Sequence, residues 1–144
     1  KEYLEAYGFE IVNQGKITQN PEVTNSVYQY FSQFFDPENK IVSPHNLVFP
    51  ELQKYRGIKN DKQVEINKIS GLLNLLTDLK FQTQTNGFVN KDEIIYLSGG
   101  WFEEFIYNKI KTEFGLDEKF IAIGLNVKKK DVPNEFDVVF ILKK

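Results

Sequence analysis

Between Trp101 and Leu142 the apolar residues change period, from helical to strand spacing. From Trp101 to Phe114, Phe102, Phe105, Ile106, Tyr107, Ile110 and Phe114 recur at helical spacing, and Gly115 stops the run. Phe120 to Val127 then reads as a strand, Lys128 to Asn134 as a turn containing Asp131 and Pro133, and Glu135 to Leu142 as a returning strand rich in Val, Ile and Phe. Helix, strand, turn, strand is the order of a half-built mixed core, α+β or α/β. A 41% hydrophobic and 15% aromatic content is enough to pack one.

The upstream part reads as mostly helical. Residues Lys1 to Gly8 predict a short helix, and Phe9 to Val12 a short strand ending at Asn13-Gln14-Gly15. Asn20 and Pro21 stand as N-cap and first residue of a second helix, with Val23, Val27, Tyr30, Phe31, Phe34 and Phe35 on its apolar side and Asp36-Pro37 as its end. Asn39 to Asn60, with Pro44 and Pro50, is expected to be loop with short extended pieces. A third helix is expected from Asp61 to Leu79, striped by Ile66, Ile69, Leu72, Leu73, Leu76 and Leu79. The turn-rich stretch Gln82 to Gly87 marks a boundary, which divides the chain into 1–87 and 88–144. Glu93 to Leu97 is expected to be a strand or extended lead-in, broken by Ser98-Gly99-Gly100.

Charge and composition exclude several classes. A net charge of -2 is not that of a globally basic nucleic-acid coat protein. Without cysteine there are no disulfides and no thiolate metal sites, which fits a cytoplasmic protein. No apolar run reaches the roughly 20 residues of a membrane helix, and no signal-peptide core is present, so no membrane partner is expected. The chain starts at Lys1, contains no methionine and stops at Lys143-Lys144 directly after an apolar run; both ends are expected to be cuts through a longer protein.

Two acidic positions stand out. At about 100° per residue, Glu103 falls inside the apolar arc of its helix, whereas Glu104 falls on the opposite side near Asn108 and Lys111. A carboxylate turned to a core needs a cation, hydrogen bonds or a raised pKa; the alternative is a helix-edge glutamate that reaches water. On the second strand, alternation sets Glu135, Asp137 and Val139 on one face and Phe136, Val138 and Phe140 on the other. An aspartate at the mouth of an apolar strand suits a hard-metal ligand, and a solvent-facing pair at a strand end is the alternative. Lys128-Lys129-Lys130 is either a phosphate-contacting set or an exposed turn. The aromatics of the second helix fit core packing better than base stacking, His45 has no ligand-spaced partner, and Gly99-Gly100 lacks the Lys-Ser/Thr of a phosphate loop.

Leu97-Ser98-Gly99-Gly100-Trp101-Phe102-Glu103-Glu104-Phe105, followed by Asn134-Glu135-Phe136-Asp137-Val138-Val139-Phe140, resembles a prokaryotic family of CRISPR ancillary nucleases. In that family a CARF sensor domain, which binds cyclic oligoadenylate, precedes a PD-(D/E)xK nuclease. Tyr3-Leu4-Glu5 to Gly8-Phe9 resembles the segment after the sensor. The resemblance implies a small, mostly helical, winged-helix-like linker domain followed by the first half of a restriction-endonuclease-like core. It implies Asp137 and Glu103 as catalytic, metal-binding acids, Glu135 as a supporting acid, Mg²⁺ or Mn²⁺ as cofactor, and DNA or RNA as substrate. It also implies a homodimer activated through a sensor outside this chain. The family's E-x-K element belongs on a further strand, and Lys143-Lys144 comes too early to supply it, so this chain alone is expected to cut nothing. The competing reading is a non-catalytic winged-helix-like module that binds nucleic acid or protein, with Asp137 incidental.

Overall fold

In the computed structural model, which describes residues 2–34 and 44–142, helices α1 (Glu2–Ala6), α2 (Pro21–Ser32), α3 (Pro44–Gln53), α4 (Leu72–Leu79), α5 (Lys91–Ile95) and α6 (Trp101–Glu113) alternate with short strands. The strands are β1 (Glu10–Asn13), β2 (Gln63–Glu65), β3 (Phe88–Asn90), β4 (Ile121–Lys129) and β5 (Val132–Phe140). Both sheets are antiparallel, one ordered β1-β4-β5 and the other pairing β2 with β3, so the mixed fold is α+β. Phe35, the Asp36-Pro37 stop, the side chain of His45 and Lys143-Lys144 lie outside the described residues.

The chain forms two compact units, Thr18–Phe102 and Lys1–Ile17 with Glu103–Lys144. The boundary expected between residues 87 and 88 falls inside the first of these. Glu93 is the reason. Its Oε2 accepts the Gln84 N–H at 3.0 Å, so the turn-rich stretch is tied to α5 rather than released as a linker.

The Thr18–Phe102 unit is built on helices. The Asn20 side chain accepts the Val23 N–H at 3.0 Å and Pro21 opens α2, as expected. Val27, Phe31, Leu52, Leu72, Leu75, Ile94 and Trp101 are buried in one core, with Phe31 stacked on Trp101 at 4.7 Å. Inside it, Thr24 and Tyr96 share a hydrogen bond of 2.9 Å. At its edge the Tyr30 hydroxyl donates to Asp78 at 3.4 Å, and burial, with that carboxylate, raises its pKa above the ordinary value.

Three local expectations fail here. Residues 44–53, expected as loop, form α3 despite Pro50; burying Val48 and Leu52 offsets the hydrogen bond that proline removes. The expected helix from Asp61 to Leu79 is three structures, namely β2, a 3₁₀ turn at Ile66–Lys68, and α4. Gly71, at φ 80°, separates the last two. The stripe is still buried at Ile66, Ile69, Leu72, Leu76 and Leu79, while Leu73 is exposed. Residues 91–95 are helix rather than strand, because Asn90 and Glu93 form a reciprocal capping box. A wide helical turn, Tyr96–Gly100, then carries the chain into α6, with Gly99 at φ 139°.

The second unit is α6 laid on the three-stranded sheet. Tyr107 packs with Ile121 and Ile123, joined by Ile17, Ile110, Leu116 and Val138. The turn expected over Lys128 to Asn134 shrinks to Lys130-Asp131, both at positive φ (51° and 63°), which lets Lys129 pair with Val132.

Candidate functional site

The β4–β5 hairpin has two chemically different faces. Ile121, Ile123, Leu125 and Val127 are buried on one, the face that α6 covers. Register pairs them with Phe140, Val138, Phe136 and Asn134. The other face carries Ala122, Asn126 and Lys128 from β4, and Glu135, Asp137 and Val139 from β5. Glu135 and Asp137 are both exposed there.

Asp137 stands where β4 offers no side chain. It lies between the pairs Ile123–Val138 and Leu125–Phe136, hence across from Gly124. Gly124 has φ 56°, and a Cβ there would come within 3.3 Å of the Gly15 Cα. The Gly15 N–H reaches the Ile123 and Gly124 carbonyls at 3.0 Å each, which holds the two glycines together. Asp137 therefore stands across from a glycine whose missing side chain makes room for the Gly15 backbone. In the adjacent row Asn126 pairs with Glu135 and its Nδ2 donates to the Asn13 Oδ1.

The helix acids are placed differently from the wheel expectation. Glu104 is the buried one, at 3% exposure, and Glu103 is half-buried. The apolar arc misled because Phe102 and Phe114, which helped define it, are 46% and 52% exposed. The inward stripe runs instead through Trp101, Glu104 and Tyr107. The carboxamide Nδ2 of Asn108, one turn beyond Glu104, is buried without a hydrogen-bond partner among the described residues. Since α6 packs on the Ile123–Val138 face, Glu103 rides on a helix covering one side of the sheet while Asp137 projects from the other. The structure thus brings Asp137 together with Glu135, and does not set Glu103 on their face.

The three turn lysines also separate. Alternation puts Lys128 on the Asp137 face. Lys129 points the other way, its Nζ lying 4.9 Å from the centroid of the Phe9 ring, which in turn meets Phe136 edge-on at 6.0 Å. Lys130 occupies the turn itself.

A cavity of about 610 Å³ opens beside the covered face. Ile17, Tyr107, Ile121 and Ile123 line it, and Lys16, Asp117, Glu118 and Lys119 stand at its charged part. Asp117 is occupied in accepting the Lys119 N–H at 3.3 Å, and Glu118 meets Lys111 at 3.4 Å. Nothing in the sequence pattern marked this cavity, because its lining comes from three separate segments.

Carboxylate oxygens are the right donors for Mg²⁺ or Mn²⁺. Among the described residues, however, no group of three or more His, Cys, Asp or Glu side chains is gathered closely enough to hold a metal ion. The residues present do not make a complete hard-cation site. No helix among them is long and apolar enough to cross a membrane.

No family model matches the chain, and no curated protein is significantly similar to it. Solved structures do share its fold. It is similar to protein VC1899 from Vibrio cholerae, at 18% identity and a TM-score of 0.60 over 98% of this chain and 40% of that one. It is also similar to Can2 from Sulfobacillus thermosulfidooxidans, solved in complex with cyclic tetra-adenylate, at 20% identity and a TM-score of 0.53 over 98% of this chain and 37% of Can2. The chain thus spans about two-fifths of the length of either.

Proposed function

We propose that this chain is part of a metal-dependent nuclease that is activated by cyclic oligoadenylate in CRISPR-linked defence, and that Asp137 is its metal-facing acid. The observation that carries the reading is the fold shared, over 98% of the chain, with a protein solved holding cyclic tetra-adenylate. The likeness of the Gly99-Gly100-Trp101 and Asn134 to Phe140 segments to the nuclease family points the same way. The exposure of Asp137 on the hairpin face that α6 leaves uncovered supports it too, since a phosphodiester must reach the acid. The cofactor in this reading is Mg²⁺ or Mn²⁺, the substrate DNA or RNA, and the active species a homodimer.

Because the described residues do not complete a cation site, the acids are assigned roles by position only. Asp137 would meet the ion, Glu135 would support it from the same strand face, and Lys128 is the turn lysine best placed to meet a phosphate near that face. Glu103 and the more buried Glu104, on the helix that covers the opposite face, would act on the site only indirectly, through the packing of α6. A hard cation, if held among such acids, would supply charge neutralisation for phosphodiester hydrolysis.

The test uses the intact protein with cyclic tetra-adenylate and Mn²⁺, and labelled single-stranded DNA, duplex DNA and RNA as substrates. Asp137→Ala should remove at least 100-fold of the cleavage rate while leaving the melting temperature unchanged, because the side chain is exposed. Cleavage by Asp137→Ala at the wild-type rate would overturn the assignment. Glu103→Gln and Glu104→Gln, compared in the same assay, decide which helix acid contributes.

A further inference from the structure

The segment joining α3 to β2 carries an excess of charge that the proposed site does not use. Residues 54–62 contain Lys54, Arg56, Lys59 and Lys62 against Asp61 alone, in a chain whose net charge is -2. All four cationic residues are exposed. Lys54 meets Glu51 at 3.0 Å, whereas Arg56, Lys59 and Lys62 make no ion pair among the described residues.

The segment is folded, not merely a solvated run. The Tyr55, Arg56 and Ile58 N–H groups reach the Leu52, Gln53 and Tyr55 carbonyls at 3.0, 3.3 and 3.2 Å, and the Lys62 N–H reaches Lys59 at 3.0 Å. Tyr55 and Ile58 are half-buried and pack against the core of the Thr18–Phe102 unit. The cations therefore stand on a fixed base formed by two anchors and successive tight turns. Holding these like charges together costs energy that no ion pair among the described residues offsets for Arg56, Lys59 and Lys62, Asp61 being the one acid within the segment. A polyanion would offset it.

We infer that the Lys54–Lys62 loop is a sequence-independent contact for the phosphodiester backbone of nucleic acid. Fixed cations release condensed counterions when they meet phosphates, and exposed backbone N–H groups and amides such as Asn60 suit phosphate oxygens as well. The inference deepens the nuclease reading by giving the helical unit a share of substrate binding, and it rests on that reading for its partner. It does not require catalysis.

The measurement is the affinity of the intact protein for fluorescein-labelled oligonucleotides, by anisotropy, in EDTA and across a series of KCl concentrations. The variant Arg56→Ala/Lys59→Ala/Lys62→Ala should weaken binding alike for all sequences and reduce the slope of log K against log salt by about 2 to 3, near 0.7–0.9 per contact. Lys59→Ala alone should reduce it by about 1, and Arg56→Lys should leave it as in the wild type. An unchanged slope in the triple variant, with an unchanged melting temperature, would sink the proposal. So would a loss seen only with vesicles of anionic phospholipid. Failure of the wild-type protein to cut any of the three substrates, together with a reduced slope in the triple variant, would remove the nuclease assignment and leave this contact standing.

Discussion

A buried carboxylate illustrates how much a single side chain organises here. Glu93 is 2% exposed, and its two oxygens accept the N–H groups of Asn90 at 2.9 Å and Gln84 at 3.0 Å. Its own N–H donates to the Asn90 Oδ1 at 2.8 Å. One acid thus starts α5 and fastens the preceding loop. Glu93→Ala leaves two part-buried donors unmet and should cost about 3 kcal/mol, whereas Glu93→Gln, which keeps one acceptor oxygen, should cost about half as much. Chemical denaturation reads both, and equal losses would show that the negative charge, not the count of acceptors, is what matters. The spacing that revealed this acid, Asn90-x-x-Glu93, was visible in the sequence, but the apolar pair Ile94-Ile95 drew the segment towards a strand. At Glu103 and Glu104 the reverse happened. The wheel weighted every apolar residue equally, and only packing shows that Phe102 and Phe114 are not on the inward stripe.

At the scale of elements, the β4–β5 turn is the clearest case of local cost. The type I′ two-residue hairpin connection needs positive φ at both central residues, which Asn-Gly adopts cheaply and Lys-Asp does not. Lys130 and Asp131 nevertheless sit at φ 51° and 63°. Nine-residue strands paired from Ile121–Phe140 to Lys129–Val132 hold them there. Replacing Lys130→Asn and Asp131→Gly together should stabilise the protein by about 1 kcal/mol, seen as a higher denaturation midpoint. A fall in the midpoint would mean that the lysine or aspartate makes a contact worth more than the strain. The long turn expected from Pro133 was wrong for a related reason: among the described residues β5 is an edge strand, where proline is tolerated.

On the scale of the whole molecule, the first and last parts of the chain build one unit. β1 pairs with β4 through Glu10–Lys128 and Ile11–Val127, and the Gly15 N–H continues the contact to Ile123 and Gly124. Removing residues 2–17 should therefore strip hydrogen-exchange protection from β4 amides such as Val127, while Leu75 and Leu76 in α4 stay protected. Protection of β4 that survives the deletion would show that α6 and β5 suffice for the sheet. The two faces of that sheet differ, since Glu135, Asp137 and Lys128 share one and α6 covers the other.

Local chemistry alone determined the elements whose signals are short-range. The Asn20-Pro21 start of α2 and the extent of α6 appear where capping and periodicity put them, and both apolar strands form, the second starting three residues early at Val132. The facing of Asp137 with Glu135 follows from strand alternation in the same way. Tertiary structure decided what depends on partners distant in sequence. Residues 63–65 became a strand only because Phe88–Asn90 came to pair with them, and Glu104 went inward because packing selected Trp101 and Tyr107 as the stripe. Whether two carboxylates share a face is likewise a property of how a helix is laid on a sheet. Periodicity is set by neighbours three or four residues away and carries no information about which side of the sheet that helix will cover.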